Sequence, residues 1–167
     1  MHKELNSFPG IVLAASFDPE DTGIATAADD GSVRVWDVET GEELMRLCQD
    51  SGPAWIVQFA PDYQKGTLLA SSGSTLQTFD LFTGERVAAF EGHEGMVRSA
   101  SFSSDGILVA SASSDGAVNL WRRSDGRKLR IFNEHDDRTT QVIFSPDGET
   151  LSSVSDDGMV YIHMLKP

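Results

Sequence analysis

The sequence predicts an all-β fold in which four copies of a four-stranded antiparallel sheet stack as the blades of a β-propeller. Two observations carry that expectation. Phe17, Phe59, Phe102 and Phe144 recur at intervals of 42 or 43 residues, and Trp36, Phe79, Trp121 and His163 recur at the same interval. Between these aromatics lie short β-rich runs ended by turn signals such as Ser104-Asp105-Gly106, Asp115-Gly116 and Asp125-Gly126. Asp-Gly between two such runs is the strongest short-range hairpin signal a sequence offers. An aromatic ending the first strand and another on the third, repeated at this period, is the pattern of four-stranded blades. One meander of this size cannot bury both of its faces, so it needs copies of itself to pack against.

Taken in order, Lys3–Phe8 (KELNSF) matches residues 127–132 (RKLRIF), with Leu5 over Leu129 and Phe8 over Phe132. It reads as a closing fourth strand with no first three before it, so residues 1–10 stand apart from the repeats. Pro9-Gly10 then turns the chain into blade one, residues 11–47, with strands expected at 11–17, 23–28, 32–38 and 42–47. Asp29-Asp30-Gly31 and Thr40-Gly41 are its turns. Blade two, residues 48–90, opens with a loop at 48–53 and has strands expected at 54–59, 67–72, 75–81 and 85–90. Its middle turn is cut to Gly73-Ser74. Blade three, residues 91–132, is the clearest copy, with runs at 96–102, 107–113, 117–122 and 127–132. Blade four, residues 133–167, has strands expected at 139–144, 150–155 and 159–164 and lacks an outer strand of its own. No linker, low-complexity segment or useful helical period interrupts this order, so the chain reads as a single repeat domain.

Blade three also carries the polar residues with chemistry. His93, Ser111 and Asp115 together invite a hydrolase reading, because a serine nucleophile needs a base and an orienting carboxylate. No GxSxG-type elbow accompanies them. The Gly92-His93 pair, the spacing from Asp115 to Trp121 and the literal Trp36-Asp37 resemble the WD-repeat family over nearly the whole chain. That resemblance implies a structural role: His93, Ser111, Asp115 and Trp121 occupy the positions of a hydrogen-bonded tetrad, with Ser111 chosen over Ser113 by the family pattern. Blade one keeps Thr26, Asp30 and Trp36 but has no His. Blade four keeps His135, Ser153 and Asp157, with His163 at the Trp position. Blade two has lost the set, with Asp50 at the His position and Phe79 at the Trp position, and is expected to be the most mobile.

The resemblance further implies a non-enzymatic scaffold that binds a partner protein or peptide on one propeller face. The family's partner-contacting positions fall on Asp29, Ser114 and Asp156, each preceding a turn Asp or Gly, and on residues near the first strands: Trp55, Arg98 and Arg138. The alternative is an assembly module with no ligand of its own. With 13 Lys plus Arg against 26 Asp plus Glu, the formal charge is −13. Affinity for nucleic acid comes largely from cationic contacts to phosphate, and an anionic membrane surface attracts the same cations. Both are therefore disfavoured as partners, and a basic protein or peptide is favoured. Cys48 is the only cysteine, which excludes an intrachain disulfide and suits a reducing, cytoplasmic setting. No cofactor or metal is expected. An orphan fourth strand and a blade lacking one predict a homodimer, closed through Lys3–Phe8, with eight blades in the ring; the runner-up is pairing with a different half-propeller chain.

Overall fold

The computed structural model describes residues 5, 9–47, 52–61 and 66–165, and these form fifteen strands and no helix. The first sheet comprises β1 (Val12–Phe17), β2 (Gly23–Ala28), β3 (Val33–Asp37) and β4 (Glu43–Leu47). The second comprises β5 (Val57–Phe59), β6 (Thr67–Ser72), β7 (Thr75–Asp80) and β8 (Arg86–Phe90). The third comprises β9 (Val97–Phe102), β10 (Leu108–Ser113), β11 (Val118–Arg122) and β12 (Lys128–Phe132). The fourth has three strands: β13 (Thr139–Phe144), β14 (Thr150–Ser155) and β15 (Val160–Met164). Every sheet is an antiparallel meander in which chain neighbours are sheet neighbours. The expected closing strand Lys3–Phe8, except for Leu5, lies outside the described residues, as do Cys48 and Asp50.

The two faces of each sheet follow from the period of two along a strand. In blade three Phe102, Val109 and Trp121 stand opposite one another across β9, β10 and β11. They pack against Leu69, Leu76 and Phe90 of blade two. The other face of blade three, with Ala110, Val118 and Leu120, packs against Val142 and Leu151 of blade four. Between blades one and two the same arrangement recurs: Ala27, Val33 and Val35 meet Phe59, Leu68 and Phe79. Fully burying one such aliphatic or aromatic side chain contributes about 1.5–3 kcal/mol. Stacked apolar faces join the blades, together with hydrogen bonds between sheets such as Val97 N–H to the carbonyl of Gly73 and the Thr139 hydroxyl to the carbonyl of Gly116.

Local geometry repeats with the sequence. Between third and fourth strands the ladder slips one residue at Val35/Trp36, at Thr78/Phe79 and at Leu120/Trp121, each time beside the third-strand aromatic. An inserted residue of this kind raises the local twist of a strand. The turns between second and third strands use Gly31, Gly116 and Gly158, whose φ values of 82°, 87° and 82° exclude most side chains. The Asp before each glycine accepts the N–H two residues on: Asp30 from Ser32, Asp115 from Ala117 and Asp157 from Met159.

One strand departs from expectation. The first strand of blade two spans only Val57–Phe59, although residues 54–59 were predicted. Ser71 Oγ accepts the N–H of Trp55 at 2.8 Å and of Ile56 at 3.1 Å. A side chain from β6 has taken two donors that a longer ladder would use, and the preceding Pro53 has none to give.

Candidate functional site

In an up-and-down meander the turns between second and third strands lie at the same end as the loops entering each first strand. This end collects the polar residues singled out in the sequence. In blade three Trp121 Nε1–H donates to Ser111 Oγ at 2.8 Å, and Ser111 lies 2.7 Å from His93 Nε2. Indole can only donate, so the Ser111 hydroxyl directs its own hydrogen to His93 Nε2. That leaves Nδ1–H of His93 for the Asp115 carboxylate, 2.9 Å away. Asp115 also accepts the N–H of Glu94 at 2.8 Å, which pins the entry loop to the turn. Ser113 instead accepts the N–H of Asp115, so Ser111 is the hydroxyl between imidazole and indole.

The electrostatics follow from burial. His93 is buried and its pKa is lowered, chiefly by desolvation, against the opposing pull of Asp115. Burial works against ionisation of Asp115, but the N–H groups of Ala117 and Glu94, together with His93, outweigh it and hold its pKa down. A neutral imidazole thus bridges a hydroxyl and a carboxylate. Asn119, also buried, places Nδ2 3.2 Å from each ring nitrogen of His93.

Blade four repeats the arrangement with one exchange. His135 Nδ1 lies 2.9 Å from Asp157 and its Nε2 lies 2.9 Å from Ser153 Oγ. His163 Nε2 stands 3.0 Å from the same hydroxyl, in the place of the indole. Its ring packs on Phe132 with centroids 4.3 Å apart, and its Nδ1 lies 4.0 Å from Glu134. In blade one only Trp36 and Thr26 join, at 2.9 Å, while Asp30 caps its own turn. Blade two uses Ser71 for backbone donors, as described above, and Phe79 packs into the core.

The residues expected to meet a partner divide into two groups. Trp55 and Arg98 come together: the guanidinium lies 4.4 Å from the centroid of the indole ring. They line an open cleft of about 370 Å³ among the first strands of blades one to three, with Ala14, Ser16, Gln58 and Ser99. Trp55 Nε1 and Gln58 Oε1 are buried there without a hydrogen-bond partner among the described residues. Arg138 is not placed like Arg98. It precedes β13 and pairs with Asp156 at 3.0 Å. Asp29 accepts the N–H of Ile11 at 2.7 Å, and the N–H of Ser114 donates to the carbonyl of Met96. Glu94, Asp136 and Asp137, on the entry loops of blades three and four, are exposed at the same end. Gln58, Ser71 and Asn119 had no sequence signal beyond alternation, since their roles depend on neighbouring strands.

Stacked four-stranded blades, with a buried His–Ser–Asp–Trp network in blade three and a His–Ser–Asp–His counterpart in blade four, define the class as β-propeller-like. The family model "WD domain, G-beta repeat" matches residues 2–37, 84–122 and 126–163, and the chain belongs to the WD-repeat family. It is 33% identical over 99 residues, 59% of this chain, to the human WD repeat and SOCS box-containing protein 1. It is 30% identical over 121 residues, 72% of this chain, to the mouse intraflagellar transport protein 80 homolog. It is 28% identical over 123 residues, 69% of this chain, to the Drosophila melanogaster WD repeat-containing protein 82. The aligned regions span 24%, 15% and 38% of those three relatives. The crystal structure of the computationally designed Ika4 protein shares the fold, with a TM-score of 0.86 and 23% identity, covering 99% of this chain and 100% of that one.

Proposed function

We propose that this chain is a non-enzymatic interaction scaffold that receives a basic peptide or loop at the end where the tetrad turns and entry loops meet. The observation that carries this reading is the Trp55–Arg98 stack beside an open cleft, with the indole N–H buried and unpartnered among the described residues. Trp and Arg are the side chains most enriched at the centres of interfaces. The exposed carboxylates of Asp29, Glu94, Asp136 and Asp137, on the turns and entry loops of that end, give a cationic partner its sign. Asp156 adds less, because Arg138 faces it. The non-enzymatic reading is supported by Ser111, which is fully buried and engaged on both sides by His93 and Trp121. The net charge of −13 supports neither nucleic acid nor membrane as partner, and the single cysteine, Cys48, suits a reducing, cytoplasmic setting. The working form in this reading is a closed ring completed by a second copy of the chain.

Fluorescence anisotropy tests the site with two labelled peptides, one alternating Lys or Arg with apolar residues and one with Glu in place of each cation. The basic peptide should bind and the acidic one should not. Asp29→Asn combined with Asp156→Asn should weaken binding several-fold, while Asn at 29 keeps the oxygen that Ile11 N–H needs. Equal binding of both peptides, or no change in the double variant, would overturn the site. Failure to bind either peptide would favour the assembly-module reading.

A further inference from the structure

Two residues before its aromatic, each third strand carries a polar side chain, and the blades use that position differently. Blade one holds Arg34, 2% exposed, whose guanidinium reaches Glu43 on β4 at 3.3 Å. Blade two holds Gln77, which is also buried. Blade four holds Tyr161, whose ring stands edge-on to that of His135 with centroids 4.8 Å apart. Blade three holds Asn119, 1% exposed, at the bottom of a notch of about 210 Å³ between the entry loop and β12. Across from Trp121 on β12 stands Lys128, where blade one has Glu43 across from Trp36. Blade three therefore lacks both halves of the ion pair that fills this position in blade one.

The amide of Asn119 is engaged on one side only. Nδ2 faces the His93 ring, while Oδ1, on the other arm, is buried without a hydrogen-bond partner among the described residues. Buried polar atoms are normally satisfied, so this carbonyl oxygen marks a place for a donor. The walls set the sign of that donor. Asp115 accepts from His93, Glu94 and Ala117, three of the about four lone-pair positions a carboxylate offers. Glu94, exposed at the mouth, brings a second carboxylate. Lys128 also lines the notch, but its ammonium donates to the carbonyl of Gly92 at 3.0 Å and lies 5.0 Å from the centroid of the Trp121 ring. Ile131, 49% exposed, gives one apolar side.

We infer that this notch seats an arginine side chain of the partner, as an anchor separate from the Trp55–Arg98 cleft. It rests on the reading above for a basic partner, yet the two sites share no lining residue. A guanidinium carries five N–H donors in a planar fork and is more weakly hydrated than an ammonium. It can meet Asn119 Oδ1, the open position on Asp115 and Glu94 together, while its methylene stem lies along Ile131. A lysine ammonium is a strongly hydrated point charge, better suited to solvent than to a buried carbonyl. Arg34 shows that this register of a blade accommodates a buried guanidinium.

NMR titration of the isotope-labelled protein with N-acetyl-arginine methylamide tests the site. The side-chain amide signals of Asn119 should shift saturably, and the lysine analogue should bind several-fold more weakly. Asn119→Arg supplies a guanidinium from within, as blade one does, and should abolish saturable shifts at the Glu94 and Ala117 N–H signals. Glu94→Gln, on an exposed loop, should weaken binding of the arginine analogue several-fold at an unchanged melting temperature, and it decides the matter if the Asn119 variant does not fold. Equal binding of the two analogues, no saturable shift, or indifference to Glu94→Gln would overturn the inference. Binding of the arginine analogue without binding of the basic peptide would keep the notch and remove the peptide reading. Peptide binding with the Asn119 signals unmoved by the analogue would do the reverse.

Discussion

His163 shows how much one residue changes in a repeated network. In blade three the donor to Ser111 is an indole, which does not titrate; in blade four an imidazole stands in its place beside Ser153. Burial lowers the pKa of His163, with Glu134 opposing, and burial likewise lowers that of His93. The folded values lie below the unfolded value near 6.5. Groups of this kind contribute stability that is present above about pH 6.5 and lost as pH falls through the folded pKa. Asp115 and Asp157, also lowered, act with the same sign further down, below the ordinary Asp value of 3.8. The melting temperature should therefore be flat above pH 7 and fall as pH drops below about 6.5. His163→Trp should reduce that fall by several degrees while leaving the portion due to His93. Thermal melts of both proteins across this range check it, and superimposable profiles would assign the pH response elsewhere. The spacing of His93, Asp115 and Trp121 could be read in the sequence because each residue sits at a fixed distance from a turn. The packing of Asn119 against His93 could not, since it depends on how β11 lies across the entry loop.

Blade two shows where element boundaries escape sequence. Its recurring Phe59 and Phe79 place it in the repeat, and the short Gly73-Ser74 turn is read directly from the chain. The length of β5 is not, because Ser71 on the neighbouring strand removes the N–H groups of Trp55 and Ile56 from the ladder. Alternation along a strand reports which face a residue occupies, not which donor a hydroxyl on the neighbouring strand has captured. The consequence is testable. Ser71→Ala leaves two main-chain donors at the edge of the cleft without their acceptor, and each such loss costs about 1–3 kcal/mol when the group stays buried. Hydrogen exchange at Trp55 and Ile56 should speed up, and the urea midpoint should drop. Ser16→Ala, on an inner strand where the hydroxyl meets only the carbonyl of Phe17, should change stability by less than about 0.5 kcal/mol. Slow exchange at Trp55 and Ile56 in the Ser71 variant would show that the chain finds another acceptor.

At the scale of the molecule, a formal charge of −13 is spread over blades held together by apolar faces. Several of the few cations are already paired, as Arg34 is with Glu43 at 3.3 Å, Arg122 with Asp125 and Arg138 with Asp156. Arg34 is buried, whereas the exposed pairs Arg122–Asp125 and Arg138–Asp156 contribute little because solvent screens them. Net repulsion among carboxylates should outweigh them, and it weakens as the Debye length shrinks from about 30 Å at 0.01 M salt to about 10 Å at 0.1 M. Added sodium chloride should therefore raise the urea midpoint. It should also tighten the ring, because two chains of the same negative sign must approach while the contact itself is apolar. Binding of a basic peptide at the acidic rim should weaken over the same range, since its attraction is the term being screened. The opposite signs separate the two surfaces: sedimentation and anisotropy on one salt series would show association strengthening as peptide affinity falls. If both weaken together, the contact between chains is ionic rather than apolar.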